Sequence, residues 1–220
     1  MSTQTHTRSR ARSTRAPLRV PAARRRATRR RRLGLLAAVA VVVGVGMTLT
    51  LPLFHHAVDE IRLPLRHEDI IRQQASDKGI NPALIAAVIY AESHFRDGQR
   101  SAAGAEGLMQ LTPTTAKYIA HKSGGTAFVV GDLATPQVNI SYGSYYLRYL
   151  LRRYGGNEVF ALAAYNGGEG NVDRWISEAQ RRDRALTIGA IPFAETRAYV
   201  RRVQQAEAEY RRSYRAELGI

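Results

Sequence analysis

From Pro82 onward the apolar positions recur at helical spacing: Leu84, Ile85, Val88 and Ile89 lie three and four residues apart, the period that places side chains on one face of an α-helix. Asn81 supplies a cap acceptor and Pro82 a first helical residue with its φ already set. Glu92 falls three residues after Ile89, four after Val88 and seven after Ile85. The pattern therefore predicts that a carboxylate continues the apolar stripe and points inward, away from the Ala86 and Tyr90 side. Such a group is costly unless it is paired, hydrogen-bonded or protonated.

The same period, read with start and stop residues, predicts six further helices. They cover His67–Lys78, ended by Gly79; Pro113–His121, opened by Thr112; Pro136–Tyr154; Glu158–Tyr165, closed by Asn166-Gly167-Gly168; Val172–Arg184; and Phe193–Glu217. His94–Gly107 is rich in Gly, Ser and Ala and reads as a long loop. Ala127–Val130 is the one strand-like piece, and no internal repeat is visible. The expected fold class is all-α, a compact multi-helix domain over residues 67–220.

Upstream the pattern changes. Residues Leu33–Phe54 carry no charge and, at about 1.5 Å per residue, are long enough to cross an apolar layer about 30 Å thick. Twelve arginines and no acid occupy residues 1–32. The expectation is a disordered Arg-rich cytoplasmic tail (1–32), a single transmembrane signal-anchor (33–54), a short juxtamembrane linker (55–66) and a domain on the far side of the membrane. Gly44-Val45-Gly46 offers a cleavage site, but the apolar Met47–Phe54 would remain, so the anchor is read as uncleaved. No further ligands cluster near His55-His56, which reads as solvated linker.

Charge changes the picture little. The chain has 33 basic and 18 acidic residues, a formal +15. Removing the tail's twelve arginines leaves 21 basic against 18 acidic, only +3, so the domain itself gives no argument for a nucleic-acid partner. The absence of cysteine excludes disulfides, thiol catalysis and thiolate metal sites.

The candidate chemistry gathers around Glu92. Ser93 follows it, then a Gly/Ala-rich loop ending in Gly107-Leu108-Met109-Gln110-Leu111-Thr112-Pro113. Glycine-rich backbone beside a buried carboxyl lets a ligand approach closely. Two readings of Glu92 stand level on physics alone. One is a carboxylic acid raised toward neutrality for general acid work; the other is a buried ion pair with an arginine. Asp97 and Glu106 read as solvated.

Several blocks, taken together and in order, resemble the soluble lytic transglycosylase (SLT) family. They are Glu92-Ser93 with Phe95, Ser101 through Leu111, Thr112-Pro113, Thr115-Ala116, Asn139-Ile140, Tyr142-Gly143, Tyr146-Leu147, Ala161 through Gly168, and Glu195 through Val200. The resemblance covers about residues 67–205. It implies a mostly helical fold of the α+β lysozyme-like superfamily and cleavage of the β-1,4 bond between N-acetylmuramic acid and N-acetylglucosamine in peptidoglycan glycan strands. It assigns Glu92 as the single acid and then base, the second step leaving a 1,6-anhydromuramyl end, with no cofactor and no metal. It further implies that Ser101, Gln110, Tyr165, Asn166 and Glu195 contact substrate or hold the cleft. Thr112 stands where many relatives carry methionine, and capping the next helix explains it equally well. Met109, Tyr199 and Trp175 read as packing. The competing readings are a muramidase of the same fold and a non-catalytic wall-binding module.

Overall fold

A computed structural model describes residues 63–125 and 127–220 of the chain. The tail and the apolar segment 33–54 lie outside the described residues, as does most of the connector. Among the described residues no helix is long and apolar enough to cross a membrane.

Among the described residues eight α-helices build the domain: α1 Glu68–Lys78, α2 Pro82–Ser93, α3 Pro113–Ser123, α4 Pro136–Arg153, α5 Glu158–Gly167, α6 Glu169–Arg181, α7 Ala194–Ser213 and the single turn α8 Arg215–Leu218. Their starts are written in the sequence. The Asn81 side chain accepts from the Ala83 N–H at 2.9 Å, Thr112 from Thr115 at 3.1 Å and Asn157 from Phe160 at 3.1 Å, each satisfying a donor that the first helical turn leaves free.

The stripe on α2 is not a stripe. Every residue from Ala83 to Ile89, Ala86 included, is buried, so the helix is the enclosed axis of the domain and has no solvent side to contrast with. Exposure returns only at Tyr90, Ala91 and Glu92, in the last turn. The most extensive helix pairing is α2 against α7, and it is α7 that supplies Glu92's neighbours.

Ala127–Val130 forms no strand. The Asp132 carboxylate takes the Val129 N–H at 3.0 Å and opens a 3-10 turn, Val130–Ala134. The only β pairing among the described residues lies in the stretch read as plain loop, as isolated bridges Arg100–Glu106 and Glu106–Leu111. The helix expected from Val172 starts earlier: α5 and α6 abut at Gly168, whose φ of 86° turns the chain between them. The helix expected to reach Glu217 breaks at Tyr214, which is buried and donates its hydroxyl to the Leu63 carbonyl at 2.8 Å. Tyr210 does the same to Pro64 at 2.6 Å. Packing thus extends back to Leu63, inside the stretch read as linker.

One large apolar cluster surrounds α2, and a smaller one (Leu111, Ala116, Ile119, Leu133) lies beneath α3. Tyr146 and Tyr165 pack against both.

Candidate active site

Glu92 sits where the buried axis meets the surface. Burial pushes its carboxyl up to about 7; the Tyr199 hydroxyl and the Arg202 guanidinium pull it back, and the Glu195 carboxylate adds to the rise. Desolvation is the largest of these, as expected for a charge withdrawn from water without a close cation. The inward direction expected from the pattern is borne out, and the cause is the depth of the whole helix end.

Two tyrosines flank it. Tyr165 donates its one hydroxyl proton to the Met109 carbonyl at 2.9 Å, leaving only acceptor lone pairs for other neighbours. Tyr199 is 1% exposed, and its hydroxyl makes no hydrogen bond of ordinary geometry. It faces Glu92 as a long, weak donor. Burial, with Glu92's field second, holds both phenols well above their usual range. The three groups form a desolvated polar centre in which the Tyr199 hydroxyl lacks a hydrogen bond of ordinary geometry. Tyr199 was read as packing; its spacing from Glu195 (four residues) and to Arg202 (three) places all three on one face of α7, a signal the sequence already held.

The loop beside this centre is fastened from within. Asn139, 1% exposed, accepts from the Met109 N–H at 2.7 Å and donates to the Glu106 and Leu133 carbonyls at 2.8 and 3.0 Å. A Cβ at Gly107 would meet its amide at 2.1 Å, and one at Gly143 would meet Met109 sulfur at 2.3 Å. Glycine at both positions is thus a steric requirement. Gln110 adopts φ +46° and spends both amide hydrogens on the carbonyls of Gln99 and Gly107, at 3.0 and 2.8 Å, so its side-chain oxygen is what remains for a ligand. Ser101 closes a turn instead, its Oγ accepting from Ala105 at 3.0 Å. Glu106 is not solvated: its side chain is 12% exposed and paired with Arg100 at 2.8 Å. Asp97 is exposed and pairs with His67 at 2.9 Å. Residues His94 and Phe95, directly after α2, take left-handed backbone at φ 52° and 58°. For a buried phenylalanine this is costly, and such strain gathers at functional sites.

Across the centre, Asn166 accepts from the Thr196 hydroxyl at 2.8 Å. Asn166, Thr196, Glu195 and Phe193 line a cleft of about 500 Å³. The fold thus brings Glu92, Tyr165, Tyr199 and Glu195 into one electrostatic neighbourhood, joins Gln110 to it through Met109, and leaves Ser101 in the loop's own turn. Among the described residues no group of three His, Asp or Glu side chains could hold a metal ion.

A buried helix ending in a neutral-poised glutamate, beside a glycine-bearing loop and two phenols, defines a mostly helical, lysozyme-like domain with an acid at the end of its central helix. The model of the transglycosylase SLT domain matches residues 69–188, and the chain belongs to that family. It is 36% identical over 154 residues to the soluble lytic murein transglycosylase of Escherichia coli K12, covering 69% of this chain and 24% of that one. The membrane-bound lytic murein transglycosylase F of Desulfosudis oleivorans is 38% identical over 125 residues, 54% of this chain and 25% of the relative. Among solved structures, an inactive Glu-to-Gln mutant of lytic transglycosylase Slt from Pseudomonas aeruginosa superposes with a TM-score of 0.66 at 36% identity, covering 72% of this chain and 26% of that one. The chain therefore spans about a quarter of the length of the relatives it matches.

Proposed function

We propose that the domain cleaves the β-1,4 bond between N-acetylmuramic acid and N-acetylglucosamine in peptidoglycan and leaves 1,6-anhydromuramyl ends, with Glu92 as the one catalytic carboxyl. The observation that carries this reading is a Glu92 carboxyl that burial keeps protonated up to about 7, between two phenols that stay protonated. An acid poised near 7 is suited to protonate the glycosidic oxygen as the bond to the anomeric carbon breaks. The same carboxylate then takes the proton of the muramyl 6-hydroxyl, whose oxygen closes on the anomeric carbon. The N-acetyl carbonyl holds that carbon's developing charge in between, the role a second carboxylate plays in the two-carboxylate scheme. Gln110 through its side-chain oxygen, Asn166 and Ser101 bind sugar polar groups, while Tyr165 and Glu195 hold the acid and the cleft.

Two findings in relatives support the assignment. The matched relatives act on murein by name, and a Glu-to-Gln exchange inactivates the Pseudomonas aeruginosa protein. In the same reading residues 33–54 anchor the chain in the membrane, with the Arg-rich tail cytoplasmic and the domain facing the wall. Muropeptide mass spectrometry tests the chemistry: anhydro ends weigh one water less than hydrolysed ends. Hydrolysed ends from the wild-type chain would instead establish a muramidase, and no cleavage at all a wall-binding module.

A further inference from the structure

The poise of Glu92 depends on what holds the end of α2. The helix stops one residue beyond it, at Ser93, and the next two residues, His94 and Phe95, both take left-handed backbone. That conformation is unfavourable for a residue with a Cβ and persists only where the surroundings over-determine it. The Arg96 N–H and Nε both return to the Ser93 carbonyl, at 3.1 Å each, and close the turn without engaging the Phe95 side chain. That side chain is 1% exposed, and its ring meets the ring of Tyr210, centroids 6.2 Å apart at 59°. The same Tyr210 ring stands edge-on to Tyr90 of α2, at 6.4 Å and 75°.

Tyr210 is fully buried. It lies eleven residues after Tyr199 on α7, three turns at about 3.6 residues each, so both phenols share the face that α7 turns toward α2. Its hydroxyl donates to the Pro64 carbonyl. Tyr214, whose ring lies 5.7 Å from Tyr210, holds Leu63 in the same way. A second tie runs along the surface, His67 Nε2 to Asp97 at 2.9 Å, and an exposed pair of this kind holds little by itself. The entry segment Leu63–His67 and the strained turn after Glu92 are therefore joined through a buried aromatic ring.

We propose that Tyr210 is a positioning residue for Glu92: its ring props the strained turn that ends α2, and its hydroxyl ties that turn to the entry segment at Pro64. The proposal rests on the reading of Glu92 as the acid of a glycan-cleaving enzyme. Tyr210 is no part of Glu92's electrostatic neighbourhood and does not line the cleft beside Glu195. It acts by keeping the last turn of α2 closed over the carboxyl. Without the ring, Phe95 loses its wall, the turn relaxes and water reaches Glu92, which removes the largest cause of its raised acidity constant. The groups that face Glu92, Tyr199, Arg202 and Glu195 on α7 and Tyr165 on α5, keep their identities, so the change is one of hydration. Unseating Pro64 acts on the same turn, which couples the seating of the entry segment to the poise of the acid.

The full-length chain is compared with Tyr210→Leu, Phe95→Leu and Tyr210→Phe, and with Leu218→Ala, which removes packing from the same apolar cluster at α8. Carbon-13 NMR reads the Glu92 midpoint without any turnover, and strand cleavage gives kcat and KM. Both ring deletions are expected to lower the midpoint by about one pH unit. At pH 7 they lower kcat about fivefold, following the protonated fraction, with KM within about twofold. Tyr210→Phe keeps the ring and frees Pro64, so it shows a smaller shift in the same direction; Leu218→Ala loses stability with midpoint and kcat as in wild type. Phe95→Leu deletes the ring contact from the other side and decides the matter where Tyr210→Leu does not fold. An unmoved midpoint in Phe95→Leu, or an equal shift in Leu218→Ala, would overturn the positioning role, and no shift in Tyr210→Phe would overturn the tie to Pro64. A chain that shows the midpoint shifts but cleaves no strand refutes the activity and leaves the positioning role standing. A chain that cleaves, with midpoint and kcat unmoved in both ring variants, refutes the positioning role and leaves the activity standing.

Discussion

Two buried polar centres lie in this domain, and they are built on opposite terms. At Asn139 every strong hydrogen-bonding atom of the side chain is used, one acceptor and both donors, on backbone groups of the neighbouring loop and turn. At Glu92 the carboxyl is desolvated without a close cation, and the adjacent Tyr199 hydroxyl has no hydrogen bond of ordinary geometry. A saturated buried network rigidifies what it touches; an unsaturated one stores free energy that a ligand can release. The first centre fixes the loop that carries Gln110. The second waits for a proton acceptor to arrive.

The contrast can be broken at several places. The largest effect is expected at the second centre's acid: Glu92→Gln reduces glycan cleavage by about a thousandfold or more, measured as muropeptide release. The same variant gains stability at alkaline pH. The folded carboxyl keeps its proton to about 7, whereas an unperturbed glutamate loses it near 4.5. Between those values the folded state binds more protons than the unfolded one, so wild-type stability is highest below about 4.5 and falls as pH rises through about 7. The fall amounts to roughly 3 kcal/mol at most. Urea unfolding across that range shows the slope in wild type and its loss in Glu92→Gln.

Next comes the saturated centre. Asn139→Leu removes three hydrogen bonds and leaves the Leu133 carbonyl and the Met109 N–H buried without partners, while the Glu106 carbonyl keeps the Leu111 N–H, at a cost of roughly 3 kcal/mol, read from the denaturant midpoint. Tyr199→Phe tests the opposite case. It deletes an atom that has no good partner, so stability changes by less than about 1 kcal/mol. The alkaline limb of the pH–rate profile, set by ionisation of Glu92 as the acid, moves to higher pH because a hydrogen bond that lowers its pKa is gone. An unmoved profile would show that Tyr199 only packs. The smallest effect is at a cap: Thr112→Ala loosens α3 by about 1 kcal/mol with cleavage unchanged, which separates capping from a cleft contact at that position.

Much of this was legible beforehand. The bounds of α2 follow from Asn81-Pro82 and from the run of apolar residues, and the position of Glu92 follows from the same count. What periodicity missed, it missed for physical reasons. A helix enclosed on all sides has no polar face, so the stripe drawn through Val88 and Ile89 described only half of a buried surface. The 3-10 turn at Val130 depends on one side-chain acceptor, Asp132, which outweighs the β preference of neighbouring valines. The break at Tyr214 depends on a hydroxyl reaching Leu63, a contact between residues 151 apart in sequence that no local window contains. Glu106 looked solvated because its loop is polar, yet the bridges to Arg100 and Leu111 fold that loop over it. At the site, the resemblance named Tyr165 and Glu195, and the spacing of Tyr199 from Glu195 and Arg202 already put it on their face of α7, whereas the role of Asn139 emerges only from what its side chain touches.

The central claim is that the end of α2 holds a carboxylic acid in its neutral form near physiological pH. Carbon-13 NMR of glutamate-labelled protein, compared with Glu92→Gln to assign the resonance, reads this directly. The account predicts one carboxyl with a midpoint near 7, absent from the variant. A Glu92 midpoint between about 4 and 5, in the ordinary range for glutamate, would contradict it.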